Sequence, residues 1–180
     1  MLRITIPAVE LWDDDKEEFI HTKERTLQLE HSLVSLSKWE ANWCKPFLTK
    51  QPKTYDESID YIKCMTLTQN VDPDVYKYLT EENIRQINNY IEAPRTATYI
   101  SEEEGGKANS EQITSELIYY WMTAFNIPPE YQKWHLNRLL TLIRVCERKN
   151  KPPKRRSKRE TMSRNAALNA ARRKQLNTRG

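Results

Sequence analysis

The sequence predicts an α+β fold that is mainly α. We expect an N-terminal antiparallel β-hairpin or meander, a bundle of about five or six helices packed on it, and a basic C-terminal helix. Up to Leu29 apolar and polar residues alternate, as they do in strands. From Ser32 onward, apolar residues recur three or four positions apart behind capping residues, which is the helical pattern. After Asn150 the chain becomes strongly basic.

The N-terminal strands are predicted from alternation. Leu2, Ile4 and Ile6 are separated by polar residues, and Leu27 and Leu29 repeat the pattern. Between these two stretches, residues 13–16 form an Asp-rich segment that is typical of a turn. We therefore expect short antiparallel strands whose edges are covered by a helix or by another subunit.

Capping residues predict where four helices begin. Thr54 and Glu57 have the spacing of a capping box, in which each side chain bonds the other's backbone amide. Asp72 stands before Pro73. Proline has no backbone N–H, but the N–H at the first helical position has no partner within the helix, so proline is favoured there. Proline residues then end the first and fourth of these helices. The predicted caps are Ser32, Thr54, Asp72 and Thr80.

The second half of the body is predicted to contain one strand and two helices. Residues 96–100 are β-prone and precede an acidic, glycine-containing loop at 102–107. Ser110 is expected to cap a fifth helix, and a sixth should run from just after Pro129 to about Arg148. These two helices carry the most regular apolar positions, so we expect them to pack as a pair.

Charge divides the chain into two parts. Residues 147–180 contain 13 of the 29 Lys and Arg residues and only two acidic ones, so the rest of the chain is acidic. We predict a folded α+β body over residues 1–150 and a basic linker and helix over 151–180, partly disordered when free. The linker prolines and like charges favour an extended segment.

The basic tail is the predicted partner-binding site. Because no aromatic residues are interleaved with its cations, it suits a phosphate backbone or an acidic protein better than the reading of bases. Self-association is a further possibility for the body, through uncovered strand or helix surfaces. The candidate binding residues are Lys154, Arg155, Arg156, Lys158, Arg159, Arg164, Arg172, Arg173 and Lys174.

Motifs for catalysis or cofactor binding are missing from the sequence. Gly105 and Gly106 lie in an acidic loop without the Lys-Ser or Lys-Thr of a phosphate-binding loop. There is no GxSxG turn, no HExxH pair and no CxxC spacing. We therefore predict a protein that is not an enzyme and that has no cofactor or metal.

The remaining thiol, indole and imidazole side chains are predicted to be structural. The three cysteines are expected to be buried, and the helical tryptophans to pack in the core. His135 is expected on a helix surface or at an interface. No apolar run is long enough to cross a bilayer and no signal-peptide pattern opens the chain, so we expect a cytosolic protein without membrane contact.

Four segments resemble a family of small tailed-bacteriophage proteins. They are residues 29–40 (LEHSLVSLSKWE), 45–48, 134–146 (WHLNRLLTLIRVC) and 163–169. Members of this siphophage family are encoded near the tape-measure gene and resemble tail assembly chaperones. The similarity extends over nearly the whole chain, but its motifs have no chemical meaning of their own, so no binding residue is carried over.

The resemblance implies a non-catalytic helper of virion morphogenesis in the host cytoplasm. Such a chaperone keeps the long helical tape-measure protein soluble while tail-tube subunits polymerise around it, and then leaves. Two alternatives remain open from the sequence. One is a nucleic-acid-binding accessory protein that acts through the basic tail, and the other is a structural component of the virion or tail.

Overall fold

The computed structural model describes residues 1–8, 10–13, 18–98, 112–150 and 158–177. The described chain is mainly helical behind a short N-terminal β structure, which confirms the predicted α+β class. The strands are β1 (Leu2–Ile6), β2 (Glu10–Asp13), β3 (Glu18–His21) and β4 (Arg25–Leu29). The α-helices are α1 (Leu33–Trp43), α2 (Tyr55–Met65), α3 (Glu81–Glu92), α4 (Ser115–Ala124), α5 (Leu136–Asn150) and α6 (Lys158–Leu176). Two 3₁₀ helices cover Pro73–Tyr78 and Pro129–Lys133.

The four strands pair as two nested antiparallel pairs. Strand β1 pairs with β4, and β2 pairs with β3, so the chain runs out and back as a hairpin and not as a meander. The outer edge of β4 is covered by residues 65–67, since the Leu67 amide donates to the Gln28 carbonyl at 2.7 Å. On β1, the Asn83 side-chain amide donates to the Thr5 carbonyl at 3.2 Å. Of the turn predicted at residues 13–16, Asp13 ends β2 and residues 14–16 lie outside the described residues.

All four predicted N-caps up to residue 80 are found in the structure. The side chains of Ser32, Thr54 and Thr80 each accept a hydrogen bond from the amide three residues on, and each takes part in a capping box. Asp72 accepts from the amide of Asp74, but the helix that follows is 3₁₀. These helix starts are local events, which is why sequence spacing locates them.

Two predictions in the middle of the chain are wrong or lie outside the described residues. Residues 96–98 are not a strand, and 99–100 are not described. A β-prone segment forms a strand only where the edge of another strand is available for pairing. The outer edge of β4 is not available, because residues 65–67 already bond to it. Ser110 is not described, and the observed cap of α4 is Thr114, whose hydroxyl accepts from the Leu117 amide at 3.4 Å.

The predicted sixth helix is divided in two. A 3₁₀ turn covers Pro129–Lys133, His135 then forms an isolated β-bridge with Ser32, and α5 begins at Leu136. The amide of Leu136 donates to the His31 carbonyl at 2.8 Å. In one continuous helix from Pro129, the Leu136 amide would instead donate to the carbonyl four residues earlier, and its bond to His31 would be lost.

A single apolar core joins the β1–β4 pair to the helices. Leu27, Leu29, Leu33 and Leu36 are completely buried where β4 leads into α1. Helices α2 and α4 pack against α1, and α3 packs against β1. The other most deeply buried apolar residues are Ile4, Trp39, Met65, Ile87, Ile118, Leu136 and Leu139.

The chain forms two compact units, Met1–Glu147 and Arg148–Gly180. The second unit contains the end of α5 and the whole of α6. In α6, Arg159 and every residue from 162 to 176 are exposed. None of the described helices combines the length and the apolar character needed to span a membrane.

Candidate functional site

Glu40 attaches α4 to α1. This carboxylate is 8% exposed, and one oxygen accepts from the Phe47 amide at 2.8 Å. The other oxygen accepts from the Ser115 amide, the first of α4, at 2.7 Å. A buried carboxylate is stable only when its oxygens are hydrogen-bonded, so this pair of bonds fixes the start of α4 and the loop after α1 together.

His31 and His135 attach α5 to the same region. The Nε2 atom of His135 lies 3.0 Å from the Tyr90 carbonyl, which can only accept, so this nitrogen carries the proton. His31 Nδ1 lies 2.5 Å from the Tyr61 hydroxyl, and the two imidazole rings are 5.1 Å apart. Both histidines are buried, so the expectation of a surface position for His135 is wrong. Its contacts come from His31 and Ser32, just before α1, and from Tyr90 of α3, which its own sequence neighbourhood does not reveal.

The buried imidazoles favour their neutral forms. Desolvation by burial, and secondarily the neighbouring His135, lower the pKa of His31 to about 3. Burial also lowers the pKa of His135, although its bond to the Tyr90 carbonyl acts in the opposite direction. The Nδ1 atom of His135 is buried without a hydrogen-bond partner, so a proton added there would meet no acceptor. These histidines therefore support the fold at neutral pH as uncharged groups.

An apolar groove lies between α4 and α5, and we name it the α4–α5 groove. Its volume is about 410 Å³. Residues spaced every four positions, a helical stripe, form the α4 wall. Most of its apolar side chains are only half-buried, and Arg144 and Glu147 stand beside them. The apolar lining residues are Ile113, Leu117, Trp121, Phe125, Leu140 and Ile143.

Helices α4 and α5, which the sequence predicted to pack as a pair, both contribute to the apolar core and line the α4–α5 groove from its two sides. Helix α4 packs on α1, where Glu40 holds its first amide. The first residue of α5 is held by the His31 carbonyl, at the start of α1. Helix α4 is thus anchored to Glu40 near the end of α1, and α5 to His31 just before α1, with the groove between their apolar residues.

A second groove, of about 440 Å³, lies between α2 and α3. Isoleucine side chains from both helices line it, and Tyr55 at its border is 71% exposed. On the same border, the Lys53 ammonium lies 4.0 Å from the centre of the Phe47 ring and donates to the Phe47 carbonyl. We name it the α2–α3 groove.

The helical tryptophans have two kinds of role. Trp39 is buried and donates to the Glu57 carbonyl at 2.8 Å, and Trp43 donates to the Asp60 carboxylate at 2.9 Å. Both hold α1 to α2; Trp39 lies in the core as predicted, whereas Trp43 is half-buried against it. Trp134 is half-buried between the ring of Tyr131 and the guanidinium of Arg138, whereas Trp121 lines the α4–α5 groove. The i, i+4 stripe that begins at Ile113 is the sequence signal for the groove.

The structure describes part of the predicted basic site. Lys154, Arg155 and Arg156 lie outside the described residues. Lys158 opens α6, and its side chain is not described. The exposed members of the predicted site on α6 are Arg159, Arg164, Arg172, Arg173 and Lys174.

Metal-binding and thiol chemistry have little support among the residues that the structure describes. That part of the chain contains no group of three or more His, Cys, Asp or Glu side chains placed to hold a metal ion. Cys64 and Cys146 are half-buried, but Cys44 is exposed at the end of α1, so the expectation that it is buried is wrong. Cys44 has φ 51°, a left-handed helix cap, which places it outside the packed face.

The two grooves and the exposed helix α6 are therefore the candidate binding surfaces. Each is defined by residues whose positions are described, and each has a distinct chemistry: apolar for the grooves, cationic for α6. Comparison with known proteins adds no family to this description, because no family model, curated protein or solved structure matches the chain.

Proposed function

We propose that this protein is a non-catalytic phage morphogenesis protein, a tail assembly chaperone that binds the helical tape-measure protein in the host cytoplasm. The observation that carries the proposal is the α4–α5 groove, which offers an apolar stripe of helical spacing to a partner. The resemblance of the sequence to tailed-phage proteins supplies the client's identity. The proposal describes a binding protein and assigns no residue to catalysis.

The groove suits an amphipathic helix for physical reasons. Helix-in-groove recognition inserts apolar side chains at positions i, i+3, i+4 and i+7 between two facing helices. The α4 wall presents Leu117, Trp121 and Phe125 one turn apart, all half-buried. Covering their exposed apolar surface would contribute a hydrophobic gain of roughly 25 cal/mol per Å² of area removed from water, which the costs of association partly offset. Arg144 at the border would favour a client with an acidic residue beside its apolar stripe.

A long helical client would need many such contacts along its length. Several chaperone molecules bound to neighbouring stretches would shield it together, and each site could remain individually weak and easily released. This matches a helper that must leave as the tail tube grows. The basic tail is a possible second arm on the same client, which makes its removal informative.

The test is co-expression with the tape-measure-like protein of the same genome, followed by measurement of soluble complex. We expect a complex with the full chain and a loss of at least tenfold in affinity for Trp121→Ala. Tyr120→Ala is the matched control, because Tyr120 is next in sequence on α4, is 65% exposed and does not line the groove. Equal binding by both variants would refute the groove as the client site.

Two further arms separate the alternatives. A chain ending at Asn150 that still forms the complex would place the client site in the body, whereas loss of the complex would assign it to the tail. Mass spectrometry of purified virions tests the structural alternative. A chaperone should be absent from the particle, and its presence at stoichiometric amounts would instead identify a virion component.

A further inference from the structure

Helix α6 exposes its side chains all round. Arg159 and residues 162–176 are exposed, including Met162 at 72% and Leu176 at 69%. Its few apolar residues do not form one continuous stripe, so its sequence does not describe a helix that packs in a core. Such an exposed helix is suited to a partner that binds its polar and charged side chains.

The cations of α6 are concentrated towards its two ends. Lys158 and Arg159 open the helix, Arg164 follows, and residues 172–174 form a basic run at the other end. Arg159 and Arg173 are fourteen residues apart, which is about 21 Å along a helix axis. Cations in a first helical turn are unfavourable, because they meet the positive end of the helix dipole. Glu160 in the same turn offsets part of this cost, and a negatively charged partner at that end would offset the rest.

The middle of α6 is uncharged and narrow. Residues 165–171 read NAALNAA, so Asn165 and Asn169 are one turn apart on one face, among alanines. Asparagine is a poorer helix former than alanine, so helix stability does not explain this pair. Asparagine side chains can, however, donate to and accept from adenine in the major groove of DNA, and alanine contacts the thymine methyl group. The missing aromatic residues, from which the sequence disfavoured the reading of bases, concern stacking on single strands and not this contact.

We propose that α6 is a duplex-DNA-binding helix that lies in the major groove, with Asn165 and Asn169 contacting base edges and the two basic ends contacting phosphates. The proposal is independent of client binding by the α4–α5 groove. The major groove, about 12 Å wide, admits an α-helix of about 10–12 Å diameter, and the alanines keep the middle of α6 slim. We expect a preference for A·T pairs.

Other polyanions fit the same residues less well. Single-stranded nucleic acid is usually held by aromatic side chains that stack on bases, and α6 has none. Duplex RNA has a deep, narrow major groove that side chains do not reach. An acidic protein could pair with the cations but gives no role to two asparagines one turn apart. Duplex DNA would bind both the cations, through its phosphates, and the asparagine pair, through its base edges.

The test measures fluorescence anisotropy of labelled 20-base-pair duplexes with the full chain, from 50 to 200 mM NaCl. The probes are an A·T-rich duplex, a G·C-rich duplex and the single strand of the first. We expect the A·T-rich duplex to bind about tenfold more tightly than the other two probes. If five cations contact phosphates, log affinity should fall against log salt with a slope of about −4 to −5.

Three variants separate charge from base contacts. Replacing Arg172, Arg173 and Lys174 together by alanine should weaken both duplexes alike and reduce the slope by about three. The double change Asn165→Ala and Asn169→Ala should remove the A·T preference and leave the slope unchanged. Gln175→Ala, which removes an amide from another face, should change neither. Alanine is a good helix former, so lost preference in these variants cannot arise from unfolding of α6.

Several outcomes would overturn the proposal. Equal affinity for A·T-rich, G·C-rich and single-stranded probes would indicate non-specific attraction to phosphate. A preference that survives the double asparagine change would place base recognition elsewhere. A chain ending at Asn150 that binds all three probes like the full chain would exclude α6 as the site.

Discussion

In the body, Leu33 and Leu139 are completely buried, whereas Met162 and Leu176 of α6 expose 72% and 69% of their surface. The charged side chains of the two regions also differ in their burial. Both oxygens of the buried Glu40 are hydrogen-bonded, while Arg172 and its basic neighbours are exposed. The body is therefore held by contacts between distant residues, and α6 by local helix propensity. A partner could therefore change the conformation of α6 at little cost in free energy. A change in the conformation of the body would require contacts in its core to break.

The largest difference is expected between leucines of the two regions. Leu139→Ala removes a fully buried side chain and should lower the free energy of unfolding by about 2–5 kcal/mol. Leu168→Ala in α6, where the side chain is 46% exposed, should change it by less than about 0.5 kcal/mol. Urea unfolding followed by tryptophan fluorescence measures this, because every tryptophan precedes residue 147. Similar losses for the two variants would show that α6 shares the stability of the body.

The next effect concerns the buried carboxylate. Glu40→Ala leaves the Phe47 and Ser115 amides without their acceptor and should cost about 2–4 kcal/mol. Glu92→Ala, at an exposed position, is the control and should cost less than about 0.5 kcal/mol. Glu40→Gln keeps a single acceptor oxygen and should fall between them. If Glu40→Ala unfolds like the control, the carboxylate does not hold α4 as described.

Acid should destabilise the body through its histidines. The pKa of His31 is lowered to about 3 in the folded state, so the unfolded chain binds the proton first as pH falls below about 6.5. The stabilisation present above that value is lost on acidification, by roughly 2 kcal/mol between pH 6.5 and 4.5. Urea unfolding at a series of pH values measures this dependence. His31→Phe should flatten it, and an unchanged slope in that variant would contradict the assignment.

The smallest effect is expected from removing α6. A chain ending at Asn150 should retain the urea midpoint of the full chain, with a change in unfolding free energy below about 0.5 kcal/mol. Its far-ultraviolet circular dichroism should lose the α6 contribution. Its acid sensitivity should be unchanged, because all three histidines lie in the body. A clear fall in stability would show that the body depends on the removed segment.

Sequence reasoning predicted features that depend on neighbours along the chain. The caps Ser32, Thr54 and Thr80 were located because a hydroxyl and an amide three residues away decide them. These signals involve a few adjacent residues, so a single sequence contains them.

Features decided by distant residues were missed. The break before α5 depends on the His31 carbonyl, which accepts a hydrogen bond from the Leu136 amide more than a hundred positions away. His135 is buried by contacts from Tyr90 and His31, and its neighbours in sequence do not reveal this. The α4–α5 groove was missed because an apolar pattern does not show whether two helices leave space between them, and their anchoring to Glu40 and to His31 is a tertiary feature.

The position of Glu40 also bears on how this protein can diverge. Glu40 fixes the start of α4, yet it does not line the α4–α5 groove. Substitutions in the lining, for example at Leu117 or Phe125, would therefore change the proposed client site while the frame is retained. Replacement of Glu40 would disturb the frame itself, whatever the partner.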